Sequence, residues 1–110
     1  MIKDTLSRLE AAIKTLPSED KRRKAELTKL LSRLKAEIGG LTQAHGEQAR
    51  SIAGFAAVAA HEATRKKRSK KLVELSARGL GASVKGFETS HPALVDAVND
   101  ICVLLSRLGI

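Results

Sequence analysis

Ile2, Leu6, Leu9, Ile13 and Leu16 recur at alternating spacings of four and three, the interval at which residues share one stripe of an α-helix. Lys3, Asp4, Arg8, Glu10 and Lys14 fall off that stripe, so the segment reads as an amphipathic helix. Pro17 stops it, because the ring lacks an N–H and clashes with the preceding turn. Ser18 then offers an N-cap oxygen, and Glu19 and Asp20 place carboxylates near the positive end of the next helix. Lys21 stands where a full capping box needs Glu or Gln. A second stripe, Leu27, Leu31, Leu34, Ile38 and Leu41, widened by Leu30, repeats the alternation and stops at Gly39-Gly40. The short connection around Pro17 predicts that the two helices fold back antiparallel with their leucine stripes facing.

From Thr42 to about Arg78 the chain turns Ala-rich and then strongly basic, with no proline to interrupt a helix. Ala53, Gly54, Ala56, Ala57, Ala59, Ala60 and Ala63 allow a neighbouring helix to approach closely. Gly46 and Gly54 each cost a helix about 1 kcal/mol relative to Ala and are places for a kink. Past Ala63 the cations break any apolar stripe, which leaves a solvated helix and a mobile linker as the two readings. Apolar spacing returns with Leu72, Leu75, Leu80, Val84 and Phe87, while Gly79, Gly81 and Gly86 point to a flexible or kinked connection. Thr89-Ser90-His91-Pro92 marks a new helix start, since Pro suits the first helical position. The last helix presents Leu94, Val98, Ile101, Cys102, Leu105 and Leu108, carries Arg107 in its final turn and ends near Gly109. No alternating β pattern occurs, so the class is all-α, an antiparallel helical hairpin plus further helices in a coiled coil or helical bundle. The parts are residues 1–40 (hairpin), 41–78 (Ala-rich, then basic) and 79–110 (C-terminal helices), expected to form one structural domain.

The run Phe87-Glu88-Thr89-Ser90-His91-Pro92, followed by Asn99, Ile101, Leu105, Leu108, Gly109 and Ile110, resembles the tail of a bacterial family of short helical proteins, the domain of unknown function 4404. Members of that family look like a leucine-rich hairpin followed by an F-E-x-x-H-P turn and a final helix ending in Gly-Ile. The stripes before Gly39 and the tail after Leu80 are similar to those two parts. The resemblance implies an all-α structure and supplies no activity, substrate or catalytic residue.

Composition sharpens the picture. The chain has 110 residues, of which 43% are hydrophobic but only 2% aromatic, so its core is built without large rings apart from Phe55 and Phe87. A chain this small buries a limited share of its surface, and separate apolar stripes call for a partner. The expectation is a homo-oligomer joined through Leu6, Leu9, Ile13, Leu27, Leu31, Leu34 and Ile38. Cys102 is the single cysteine and forms no intrachain disulfide, which points to a reducing, cytoplasmic setting. The opening Met1-Ile2-Lys3-Asp4-Thr5 leads straight into a heptad-like pattern, unlike a signal peptide. The most apolar run, Ser51 to Ala60, is about half the roughly 20 residues that span a bilayer.

Catalytic and metal motifs fail on inspection. His61-Glu62 begins like a zinc-protease helix, but Arg65 stands where the second histidine belongs. No two of His45, His61 and His91 are three or four residues apart, and one cysteine completes no structural zinc site, so no metal or cofactor is expected. In the glycine-rich stretch, Phe87 and Glu88 occupy the Lys and Ser/Thr places of a phosphate loop, and Val84 replaces the third glycine of a dinucleotide fingerprint. The nucleophile elbow around Ser83 fails at Lys85. His91 reads first as a cap or packed ring and second as a functional imidazole, Cys102 as a small buried hydrophobe, and Asp96, Asn99 and Asp100 as ordinary polar positions with capping or interhelical bonding as the minority reading. With no matched acid, base and nucleophile, a non-enzyme is expected.

Charge is the most informative local feature. The chain carries 20 Lys+Arg against 12 Asp+Glu, a net charge of +8, and residues 65 to 78 hold seven of those cations with one Glu. Arg65, Lys66, Lys67, Arg68, Lys70 and Lys71 are candidate phosphate contacts, held by counterion release and without Tyr or Trp to stack on bases, hence with little sequence preference. A membrane-surface reading, using Ile52, Phe55 and Val58 ahead of the cations, ranks third because alanine dominates that stretch. The leading expectation is thus a self-associating, non-enzymatic interaction or structural protein, and the alternative a basic protein that binds nucleic acid non-specifically.

Overall fold

A computed structural model of the chain describes residues 7–8, 10–11, 21–41, 45–65 and 67–108. The described residues form four long helices, α1 (Lys21–Gly39), α2 (Gly46–Thr64), α3 (Lys70–Ser83) and α4 (Pro92–Leu108), with no strand among them. The all-α bundle read from the sequence is the observed fold. Ile2, Leu6, Leu9, Ile13 and Leu16, together with Pro17 and Ser18, lie outside the described residues. Residues 7, 8, 10 and 11 are helical and run against α1 in the opposite sense. Lys35 Nζ donates to Ser7 Oγ (3.2 Å), and Ser32 Oγ donates to Glu10 Oε2 (2.8 Å), so partner numbers fall on one side as they rise on the other.

The α1 stripe forms as its spacing predicts and ends at the glycine pair, where Gly40 N–H bonds Glu37 O and Leu41 N–H bonds Ile38 O. Leu27, Leu31, Leu34 and Ile38, expected at an interface between copies, are buried within the single chain. The reason is tertiary: α4 packs extensively on α1, and α2 touches it as well. The Arg33–Asp100 ion pair (2.8 Å) bridges α1 and α4 at the surface, which makes Asp100 an interhelical partner.

Alanines govern α2, which runs unbroken through Gly54 and buries Ala49, Ile52, Ala53, Ala56, Ala59, Ala60 and Ala63. Such short side chains bring its partner close, and α3 is the helix it contacts most. The basic stretch between them is neither a continuous solvated helix nor a long linker. Arg65, Lys67, Arg68 and Ser69 are non-helical, and α3 starts at Lys70 because Ser69 is its N-cap, its Oγ accepting the Leu72 N–H (3.3 Å).

In α3 the inward stripe differs from the expected one. Val73, Ser76, Leu80 and Val84 are buried, whereas Leu72 and Leu75 face outward. The Ser76 hydroxyl is accommodated inside because Oγ donates to Leu72 O (2.7 Å) and lies 3.1 Å from Val73 O. The glycine-rich stretch is also no flexible connection, since Gly79 and Gly81 are helical and the helix continues to Ser83. A Cβ on Gly79 would collide with the Phe55 ring, so that glycine lets the ring of α2 lie across α3. The turn follows at Val84–Gly86, where Gly86 takes the left-handed φ of 97° and its N–H is bonded by the Glu88 carboxylate (2.9 Å). Pro92 opens α4, which buries Leu94, Ala97, Val98, Ile101, Leu104 and Leu105 against α1 and α3. The Leu108 side chain, Gly109 and Ile110 lie outside the described residues.

Candidate interaction surface

Four of the large apolar side chains left uncovered belong to the α2–α3 pair: Phe55 (41% exposed), Val58 (51%), Leu72 (43%) and Leu75 (50%). They form one face. Phe55 and Val58 are a helical turn apart on α2, Leu72 and Leu75 a turn apart on α3, and Gly79, beneath the Phe55 ring, is one turn beyond Leu75. Because the helices are antiparallel across a short connection, Val58 falls beside Leu75, and Glu62 beside Leu72. Among the described residues Val103, on α4, is also exposed. Scattered apolar residues on a surface mean little, whereas a contiguous group marks a contact surface. Ion pairs border it, Glu62–Arg65 (2.8 Å) and Glu74–Arg78 (3.0 Å).

The cations predicted to meet phosphates gather at the tip of this pair. Arg65, Lys67 and Arg68 lie on the connection and Lys70 and Lys71 in the first turn of α3, all with exposed side chains, while Lys66 lies outside the described residues. Two of them also serve the fold. Arg65 holds Glu62, and Arg68 Nη1 donates to Ala63 O (3.2 Å), capping the end of α2. The first turn of α3 contains no acidic residue, so Lys70 and Lys71 sit against the positive end of the helix dipole, a local cost.

At the opposite end three rings meet that the sequence leaves 46 residues apart. His45, the N-cap of α2, lies edge-on to Phe87 (centroids 5.3 Å) and to His91 (6.1 Å), and Phe87 is edge-on to His91 (5.4 Å). Spacing rules for one helix face could not find this cluster, because its members come from two helix starts and a turn. Phe87 is buried, His91 N–H bonds Phe87 O, and Ser90 Oγ lies 2.9 Å from His91 Nδ1, so the F-E-x-x-H-P run acts as a packed joint. No group of three or more His, Cys, Asp or Glu suited to a metal occurs among the described residues. Cys102 is half-buried against α3, its Sγ 3.4 Å from Ala77 O. Burial pushes its thiol pKa up, only partly offset by a hydrogen bond from the Gly81 backbone, which makes it a weak nucleophile. Ile52 is buried, leaving Phe55 and Val58 as the exposed members of the proposed membrane-facing trio, and among the described residues no helix is long and apolar enough to cross a membrane.

A family model described as Domain of unknown function (DUF4404) matches residues 2–110. No curated protein and no solved structure matches the chain.

Proposed function

The chain belongs to the DUF4404 family, and from that premise we propose a non-enzymatic, cytoplasmic helical protein that self-associates through the outer face of its α2–α3 pair. The observation that carries this reading is the uncovered quartet Phe55, Val58, Leu72 and Leu75 on a chain that buries the leucine stripe of α1 within itself. A two-fold arrangement with α3 antiparallel to its copy buries the quartet on both sides. In that arrangement Glu74 of one copy comes opposite Arg78 of the other, so opposite charges flank the apolar contact. It also sends the two cationic tips to opposite ends, separated along a helix of this length by on the order of 20 Å. That exceeds the Debye length of roughly 8 Å, so the tips repel little. The non-enzymatic part is supported by the packed state of the reactive groups, His45 and His91 against Phe87 and the Cys102 thiol half-buried against α3.

Sedimentation equilibrium tests the reading. The expected result is twice the single-chain mass at micromolar concentration, falling to the single-chain mass in Leu75→Glu, whose circular dichroism stays helical. A single-chain mass for the wild type at roughly 100 µM, or an unchanged assembly in Leu75→Glu, overturns it.

A further inference from the structure

We infer that the α2–α3 turn is a docking point for the phosphate backbone of nucleic acid, read by charge and not by base sequence. This surface is separate from the apolar face and does not depend on self-association. The turn lies at one end of the α2–α3 pair and carries exposed Arg65, Lys67, Arg68, Lys70 and Lys71 within a single connection and helix start. Of the two carboxylates nearest in the α2–α3 pair, Glu62 neutralises Arg65 alone and Glu74 is held by Arg78, which leaves four cations of the turn. Lys67, Arg68, Lys70 and Lys71 keep their charge unpaired by any described carboxylate, and Arg68, anchored on Ala63 O, fixes the turn that displays them. Lys70 and Lys71 oppose the dipole of α3 where carboxylates would stabilise it, so the cations are kept at a cost to the fold. A phosphate ladder supplies the compensating negative charge, and its condensed counterions are released on contact. Phe55 and Phe87 lie on the apolar face and in the opposite joint, away from the turn, and the exposed His61 imidazole in the last turn of α2 is the ring beside it.

Fluorescence anisotropy with a short, mixed-sequence DNA duplex tests this, with vesicles of phosphatidylcholine and phosphatidylserine as the competing anionic surface. Four phosphate contacts give a log–log salt slope of about −3.6, so raising salt from about 50 to about 200 mM weakens binding roughly 150-fold. The Lys67→Gln/Lys70→Gln/Lys71→Gln variant, altered only at exposed positions, is expected to bind at least about tenfold more weakly with a slope near −0.9, and a scrambled duplex is expected to bind like the original. Lys85→Gln, which removes one exposed cation at the far joint, leaves binding unchanged. The inference is overturned by absent duplex binding at low salt, by a flat salt response, by equal binding of the triple variant, by an equal loss in Lys85→Gln, or by vesicle binding with the duplex ignored.

Discussion

The α1–α4 pair and the α2–α3 pair dispose of their large side chains in opposite ways. Among the described side chains of α1 and α4 the leucines, isoleucines and valines are buried or packed against the core, Val103 excepted, and the other exposed positions are mostly polar or charged, as in Arg33 and Asp100. In α2 and α3 the inward positions are largely alanine, with Ile52, Val73, Leu80 and one serine, while Phe55, Val58, Leu72 and Leu75 stand outside. Small inward residues let α2 and α3 approach closely, so the core there is full without the larger side chains. The outward four are therefore not needed to fill the core between these helices, and of them Phe55 packs part of its ring on Gly79.

Truncation breaks the comparison most directly. Leu31→Ala empties a fully buried site and is expected to cost about 2–5 kcal/mol in denaturant unfolding, the usual range for a large-to-small change in a core. Leu75→Ala removes the same atoms from a half-exposed site and is expected to change the stability of the single chain by no more than about 0.5 kcal/mol. Equal costs at the two positions would show that the outer leucine belongs to the core after all, and the contact surface would then be lost as a separate feature.

Gly79 sharpens the contrast at the seam of the α2–α3 pair. Gly79→Ala puts a methyl group into the space of the Phe55 ring, and because that ring is part-exposed and can shift outward, the expected net change stays within about 1 kcal/mol once the better helix propensity of alanine is counted. Phe55→Ala on its own removes a part-exposed ring. Combined, the two changes are expected to be markedly non-additive, because Phe55→Ala clears the space that the new methyl needs. Strict additivity in a double-mutant cycle would mean that ring and glycine do not touch in solution.

These two pairs also mark how far the chain could be read before its fold was known. The α1 stripe was legible because a run of leucines at helical spacing with charged residues between leaves one apolar face, and the Gly39-Gly40 pair falls where α1 stops and Pro92 where α4 begins. The partner of that stripe was not, since periodicity tells which face is apolar and not which helix covers it. In α3, Leu72 and Leu75 misled because Val73, Ser76 and Leu80 occupy another stripe, and only the backbone bonds of the Ser76 hydroxyl make a serine acceptable inside. Gly79 and Gly81 read as breakers, yet one is required by a ring 24 residues earlier in the chain. The cationic run was fully visible as charge, whereas its position on a short capped turn rests on Ser69 and Arg68. The three-ring joint of His45, Phe87 and His91 depends on tertiary convergence and left no signal in spacing.

Cys102 reports on the boundary where α4 meets α3, between the two pairs. Its thiol pKa is raised by burial, so the folded chain holds the proton more tightly than the unfolded one. The stability it contributes is therefore complete below the ordinary thiol range and is lost as pH rises through the folded value. Iodoacetamide at about pH 8 is expected to alkylate the folded protein more slowly than the denaturant-unfolded chain. Cys102→Ala is expected to remove part of the alkaline decline in unfolding midpoint. Equal alkylation rates in the two states would place the sulfur in open solvent and the α3–α4 contact would need redrawing.

The smallest effect belongs to the Arg33–Asp100 pair that joins α1 to α4. Its short distance of 2.8 Å invites a large role, but both side chains are about half exposed, and water screens the attraction while two long side chains give up rotamer freedom. Arg33→Gln and Asp100→Asn are each expected to cost less than about 1 kcal/mol, with a coupling energy of about 0.2–1 kcal/mol that shrinks as salt is raised. A coupling well above that range would mean that α1 and α4 are held by charge as much as by their leucines. The contrast between the pairs would then rest on electrostatics, with apolar burial secondary. A coupling within it leaves the inward stripe of α1 as what fastens α4, and leaves the outward residues of α2 and α3 as the part of the molecule whose substitution is felt in assembly before it is felt in folding.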